Sequence, residues 1–247
     1  MEKIDKYKLM ATLVRGFFGG YASGIIDCHV TDPKEKFMPQ TIKKVMLEHY
    51  GTIADMFHNT LFFSIAVMNF DYEDVHKIVV EASGKGTTMI DLVKIVCATE
   101  GLHQAMVAEY KRNFELLLDG HYASVPEHFK SYTRNDGEPD WIDTDKAIRI
   151  AVRTVMTAYA RGIRNGGTGK ASLHQPTLFR LLLDAMTTLL CDSPLSGRDA
   201  DRGGLNGLFM KACHSKHNID VMTDEMELTY NELVETEGII ANDDRAN

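Results

Sequence analysis

The sequence has few residues that interrupt or cross-link a chain. Of its 247 residues, six are proline and four are cysteine. The cysteines, Cys28, Cys97, Cys191 and Cys213, form no C-x-x-C pair. This usage is typical of reduced, mostly buried thiols in a cytosolic protein and excludes a disulfide framework. The hydrophobic fraction of 44% excludes a mostly disordered chain.

Long apolar runs are also missing. The longest candidate, 60–70, has 11 residues, fewer than the roughly 18 of a membrane-spanning helix. The N-terminal residues Met-Glu-Lys-Ile-Asp-Lys lack the apolar region of a signal peptide. From these absences we expect a cytoplasmic protein without a transmembrane segment.

The net charge of −8 hides two oppositely charged segments. Residues 146–183 contain seven basic residues and no acidic one, whereas residues 216–247 contain nine acidic and two basic residues. One interpretation is that the two segments face each other or are solvated; the other is a basic strip that faces phosphate or a membrane. Nucleic acid is not expected as a partner, because the basic segment has few aromatic residues and no RNA-binding signature.

Apolar residues recur at spacings of three and four, as in helices that are buried on one face. Ile53, Phe57, Leu61 and Ile65 form one such series. No stretch alternates apolar and polar residues as a strand does, and 13 methionines suit adaptable packing between helices. The sequence therefore predicts an all-α protein with roughly ten or more short helices in one compact body.

Three segments of the chain look related to one another. The two stronger ones are 74–114 and 178–230, and the weaker one is 12–68. Each contains a glycine-rich break between predicted helices. In the weaker segment this break is predicted at Gly19-Gly20, between two short helices.

This pattern resembles the annexin family, and within it the divergent alpha-giardins. The sequence Gly-Lys-Gly-Thr at 84–87 matches the family's loop between the first and second helices of a repeat, 92–96 matches the apolar second helix, and Tyr110 matches a closing aromatic residue. Ile219-Asp220 matches a further family pair. The resemblance implies about three degenerate annexin-like helical repeats.

These repeats divide the chain as follows. A degenerate helical repeat covers 1–70, a repeat with the Gly-Lys-Gly-Thr loop covers 71–165, and a partial repeat covers 166–235. A frayed acidic tail at 236–247 completes the division.

The resemblance also implies a weak calcium site at this loop. Calcium takes 6–8 oxygen ligands, often including backbone carbonyls, and a glycine-rich turn can aim several carbonyls at one point. The implied ligands are the carbonyl oxygens of Ala82, Gly84 and Gly86 and the carboxylate of Glu127. Lys85 and Thr87 would contact a lipid phosphate beside the ion. In the alternative interpretation, the loop is only a helix C-cap followed by an N-cap threonine.

A second glycine-rich segment at 165–172 does not meet the pattern of a P-loop. Position 164 is arginine where that pattern has glycine, and position 171 is alanine where it has serine or threonine. The segment is therefore expected to be a loop between helices. Its basic neighbours Arg161, Arg164 and Lys170 are candidates for contact with lipid headgroups without calcium.

Three further groups have residue types that bind transition metals. They are the pairs Glu73/His76 and Glu100/His103 and the trio Cys213, His214 and His217. The second Glu/His pair spans Gly101, at a predicted helix break, and the sequence identifies no further inward carboxylates. For His214 and His217 no second pair has a matching spacing, so surface polar residues are the preferred interpretation throughout. No G-x-S-x-G motif occurs, and Cys97 and Cys213 lie in apolar runs where inert thiols are expected.

The function expected from the resemblance is that of a non-enzymatic peripheral membrane protein. It would bind acidic phospholipids weakly and with calcium, and it would link the membrane to the cytoskeleton. One alternative is a helical protein–protein scaffold without metal. A second alternative is a helical enzyme whose site is not visible in the sequence.

Overall fold

The chain folds into helices, with one short β-ribbon among the residues that the structure describes. In this computed structural model, those residues are 3–30, 32, 34–36, 38–120, 140–167, 172–192, 195 and 204–239. The elements in chain order are β1 (Lys3–Asp5), α1 (Lys6–His29), α2 (Pro39–Glu48), α3 (Tyr50–Asn69), α4 (Tyr72–Ser83), α5 (Met89–Val96), α6 (Glu100–Leu118), β2 (Trp141–Asp143), α7 (Thr144–Gly166), α8 (Gln175–Leu190), α9 (Gly204–Cys213) and α10 (Lys216–Thr236). The predicted all-α character is confirmed.

The ribbon positions the starts of the two central helices. β1 pairs antiparallel with β2, and Ile4 lies opposite Ile142. The carboxylate of Asp5 accepts the N–H of Tyr7 (2.8 Å), and the carboxylate of Asp143 accepts two N–H groups of the first turn of α7. Each aspartate therefore ends a strand and caps the following helix.

α1 and α7 run side by side in the same direction at the centre of the protein. A Cβ atom added at Gly20 would lie 2.8 Å from the carbonyl oxygen of Val155. One added at Gly24 would lie 2.3 Å from the carbonyl oxygen of Tyr159. Backbones this close leave room only for glycine.

The prediction of a break at Gly19-Gly20 is wrong, because α1 continues through it as one helix. Glycine lowers helix propensity, which favoured the break. The burial of α1 against α7 outweighs this cost of about 1 kcal/mol per glycine. The glycines of α1 therefore serve close packing and do not end the helix.

By length and composition, α1 passes the test for a helix that could cross a membrane. Its apolar window has a mean hydropathy of 1.3, and 89% of that window is buried inside the protein. The sequence prediction missed it because serine, threonine and glycine interrupt the apolar residues. A buried core helix passes the same test, so this property does not assign a location.

The contacts between α1 and α7 are reciprocal. Gly24 approaches the backbone of Tyr159, and Gly162 approaches the backbone of Tyr21 in the same way. The sequence Tyr-Ala-x-Gly-Ile occurs at both places, starting at Tyr21 and at Tyr159. Reciprocal contacts of this kind relate the two partners of a twofold-symmetric pair. The chain therefore contains two structurally related halves.

The later helices repeat the relationship. A buried cysteine stands at the C-terminal end of each of α5 and α9: Cys97 is the C-cap of α5, and Cys213 is the last residue of α9. The residues that follow, Ala98 and His214, have positive φ angles of 63° and 62°. Thr99 and Ser215 then cap α6 and α10 through their side chains. The same left-handed link thus connects the last two helices of each half.

This twofold relationship differs from the predicted three-repeat division. The halves meet in the stretch between α6 and β2, whereas the predicted boundary at 165/166 falls in the last turn of α7. α4 buries only Val75 and Ala82, and among the described residues it has no counterpart in the second half. Helix α4 and the loop that follows it are therefore an addition to the symmetric body, whereas α5 corresponds to α9.

Candidate functional site

The predicted calcium loop lies at the surface between α4 and α5. Gly86 has a φ of 67°, in the left-handed region that glycine adopts readily. The N–H groups of Lys85 and Thr87 both donate to the carbonyl oxygen of Ala82, at 3.0 and 3.3 Å. This pattern, with glycine just before the final donor, is a common way to end a helix.

The loop places its carbonyl groups in two different environments. The Ala82 oxygen already accepts two hydrogen bonds, whereas the carbonyl oxygens of Gly84 and Gly86 accept none from the described residues. Thr88 caps α5 through a capping box with Asp91. The helix-capping alternative therefore describes the local geometry, with Thr88 and not Thr87 as the N-cap.

The predicted acidic ligand, Glu127, lies outside the described residues. The exposed carboxylate of Glu81 lies 4.0 Å from the ammonium group of Lys85. Over the described part of the chain, no group of three or more histidine, cysteine, aspartate or glutamate residues could hold a metal ion. A calcium ion at this loop would therefore depend mainly on neutral carbonyl oxygens, water and external phosphate.

Exposed apolar side chains lie on both helices that flank the loop. We define the hairpin surface as Tyr72, Val79, Val80, Ile90 and Ile95, all of which are exposed. Single exposed apolar residues are ordinary, but a concentration of them marks an interaction surface. The hairpin surface thus combines a glycine-rich turn with apolar side chains that the protein itself leaves uncovered.

The basic and acidic segments face each other along α7 and α10. Glu225 accepts from Arg149 (3.3 Å) and from Arg153 (3.1 Å), and Arg153 also binds Glu232 (2.9 Å). This arrangement agrees with the interpretation in which the two segments pair. Much of the positive charge of α7 is thereby neutralised within the chain.

The predicted headgroup arginines take part in the same pairing. Nε of Arg161 lies 3.0 Å from one carboxylate oxygen of Glu237, and Nη1 of Arg164 lies 2.8 Å from the other. Lys170 lies outside the described residues. Because Arg161 and Arg164 are on α7 and the Gly-Lys-Gly-Thr loop is on the α4–α5 hairpin, the structure does not bring these predicted residues together.

The other candidate metal residues do not converge. His217 pairs with Asp145 (2.9 Å), whereas Nε2 of His214 lies 3.1 Å from the carbonyl oxygen of Leu190 and 3.6 Å from Sγ of Cys191. The two histidines therefore have different partners. Glu73, His76 and Glu100 are exposed, and His103 is half-buried.

Burial suppresses the reactivity of two cysteines. It raises the pKa of the Cys97 and Cys213 thiols to about 12, so both stay protonated at neutral pH. A protonated thiol is a poor nucleophile. This finding agrees with the expectation of inert core thiols at these positions.

Sequence reasoning missed a buried polar cluster at the C-terminal end of α1. The carboxylate of Asp27 accepts from the Lys36 ammonium (2.7 Å) and from the Tyr159 hydroxyl. The N–H of His174 in turn donates to the Tyr159 hydroxyl (3.2 Å). Burial and the bond to Asp27 raise the pKa of Tyr159. The repeated Tyr-Ala-x-Gly-Ile sequence was the available signal for this tyrosine.

Comparison of the chain with protein-family models, with curated proteins and with solved structures finds no match. The annexin relationship therefore stays a prediction that rests on 84–87, 92–96 and the other residues quoted for it. The features that point to a function are those of the chain's own geometry, above all the hairpin surface and the arginine–glutamate contacts.

Proposed function

We propose that this protein is a non-enzymatic peripheral membrane protein that docks on acidic phospholipids through its α4–α5 hairpin in the presence of calcium. One observation carries this proposal: the carbonyl oxygens of Gly84 and Gly86, which accept no hydrogen bond from the described residues, lie between the two helices that carry the hairpin surface. The annexin-like repeats and the link to the cytoskeleton belong to the same proposal and rest on the resemblance. The cytoplasmic location, also part of it, rests on the cysteine usage and the absence of long apolar runs.

Calcium can bridge the negatively charged protein and a negatively charged membrane. The protein carries a net charge of −8, so an acidic membrane repels it on average. An ion held by the Gly84 and Gly86 carbonyls, with Glu127 as the implied acid, keeps open positions for lipid phosphate. Site affinity in the range of about 10⁻⁵ to 10⁻³ M is expected for so few charged ligands.

The exposed apolar side chains add a second, calcium-independent contribution. Val80 and Ile90 lie on either side of the loop, one on each helix of the hairpin. Insertion of an apolar side chain among lipid tails contributes about 1.5–3 kcal/mol when it is fully buried. The two contributions together account for a hairpin that is anchored through α5, which buries Val93 and Val96, while α4 buries only two residues.

The loop is tested by the Gly86→Val variant. Its φ of 67° disfavours a β-branched residue, so the neighbouring carbonyls will change direction. We expect calcium-dependent sedimentation with phosphatidylserine vesicles to fall about tenfold in affinity, a change of about 1.4 kcal/mol.

Gly204→Val is the matched control for this variant. Gly204 also has a positive φ (57°) and open space around it, but it begins α9. Equal loss of binding in the two variants would contradict the role of the loop. Absence of any binding by the wild-type protein at millimolar calcium would contradict the proposed function itself.

The apolar contribution is tested by Val80→Glu. The charged side chain cannot enter the lipid, so vesicle affinity is expected to fall about tenfold or more. Leu228→Glu is the control, because Leu228 is exposed to the same degree (54% against 55%) but lies on α10. If both variants bind as the wild-type protein does, the hairpin surface does not enter the membrane.

A protein–protein scaffold is the second candidate function. The exposed apolar residues of α4 favour it, because a partner protein could cover them without any metal. Sedimentation of the wild-type protein with phosphatidylserine vesicles, in calcium and in a calcium chelator, separates the two functions. Vesicle binding that depends on calcium supports membrane docking, whereas a protein that never sediments with vesicles supports the scaffold.

A further inference from the structure

Arg161 and Arg164 together hold both oxygens of one carboxylate. Each guanidinium group donates to a different oxygen of Glu237, at 3.0 and 2.8 Å. Nη1 of Arg161 also donates to the Thr60 hydroxyl on α3 (2.9 Å), so its guanidinium has a partner besides Glu237. Two converging guanidinium groups match the geometry of a phosphate group as well as that of a carboxylate.

The related first half shows that the fold does not require this pair. The repeated sequence aligns Arg161 with Ser23 and Arg164 with Ile26. α1 thus occupies the equivalent position in the first half without a charge at either place. The arginines are therefore a property of the second half alone and not of the architecture that the halves share.

The carboxylate of Glu237 lies at the end of α10, where an anion from solvent can take its place. Glu237 directly follows the last residue of α10, and Gly238 after it has a φ of 67° with open space around it. The side chain of Arg164 is 64% exposed, whereas that of Glu237 is 9% exposed. An anion from solvent therefore reaches Arg164 first.

We propose that Arg161 and Arg164 form a calcium-independent binding site for the phosphate of an acidic lipid headgroup, and that Glu237 inhibits it by occupying the site. The inference rests on the proposed function for its ligand. A phosphate monoester carries more negative charge and more acceptor oxygens than a carboxylate, so it competes effectively for two guanidinium groups. Membrane docking would then expose the C-terminal end of α10 as the headgroup displaces Glu237.

The test is sedimentation of the full-length Glu237→Gln variant with phosphatidylcholine vesicles that contain phosphatidic acid, in the presence of a calcium chelator. Removal of the competing charge is expected to raise the affinity about tenfold over the wild-type protein. Adding Arg164→Gln to this variant is expected to abolish the gain.

Glu232→Gln is the matched control. Glu232 pairs with Arg153, and this substitution removes one negative charge from α10, as Glu237→Gln does next to Arg161 and Arg164. No gain for Glu237→Gln, or an equal gain for Glu232→Gln, would overturn the inference. Inorganic phosphate added as a competitor separates the two sources of the ligand: full competition at low phosphate concentration would show that free phosphate, and not the lipid, is the preferred ligand.

The inference and the proposed function fail separately in these experiments. The double variant Gly86→Val/Glu237→Gln lacks the calcium loop but retains the arginine pair. If it keeps the gain in chelator, the arginine site is supported whatever happens to calcium-dependent binding. If it loses the gain, the vesicle binding belongs to the hairpin, and the inference is wrong.

Discussion

Replacement of Gly162 by alanine is expected to destabilise the protein by about 3 kcal/mol or more. The new Cβ atom would lie 2.2 Å from the carbonyl oxygen of Tyr21 and 3.0 Å from its Cα atom. These are backbone atoms of α1, so no side-chain rotation relieves the clash. The two central helices must separate, and the core between them loses its packing.

Urea-induced unfolding, followed by circular dichroism, measures this loss. Gly51→Ala is the control, because Gly51 lies in α3 and a Cβ atom there meets nothing within 4 Å. That substitution is expected to raise stability by about 0.5 kcal/mol through helix propensity. A Gly162→Ala protein as stable as the wild type would contradict the close helix approach.

Removal of the Asp27 carboxylate in Asp27→Ala is expected to cost about 3 kcal/mol. Its side chain is 10% exposed and that of Lys36 is 15% exposed, so the change leaves a mostly buried ammonium group without its partner. The Tyr159 hydroxyl loses its acceptor as well. Breaking a buried pair from one side is costly because the remaining charge stays desolvated.

Thermal and urea unfolding of three proteins test this expectation. Asp27→Asn keeps an acceptor for Tyr159 and is expected to lose less stability than Asp27→Ala. Asp74→Ala removes an exposed ion pair with Lys77 and is expected to change stability by less than about 0.5 kcal/mol. Equal effects of Asp27→Ala and Asp74→Ala would mean that the buried cluster contributes nothing beyond a surface pair.

Local sequence signals predicted the helices well. Ile53, Phe57, Leu61 and Ile65 are all buried on α3, as their spacing indicated. The glycine-rich turn at 84–87 separates two helices as predicted, because positive φ and helix capping are decided within a few residues. The predicted calcium and lipid contacts at this turn stay predictions.

Contacts between distant segments were beyond the reach of these signals. The β-ribbon has three residue pairs, too few to produce an alternating pattern. The bond between Arg161 and Glu237 depends on the register of α10 against α7, which no local spacing determines. The match between Tyr21 and Tyr159 lies inside two helices, so the glycine turns that indicated the predicted repeats do not reveal it.

The reciprocal contacts of α1 and α7 have a consequence for how this sequence can vary. In a dimer of identical chains, every substitution appears on both sides of the symmetry axis at once. Here one covalent chain supplies both sides, so each can change alone. At the glycines the opposite backbone still forbids change, but outside them α7 carries Arg161 and Arg164 where α1 carries Ser23 and Ile26. Linking the halves in one polypeptide thus allows charge to accumulate on a single side, which a self-associating homodimer could not do.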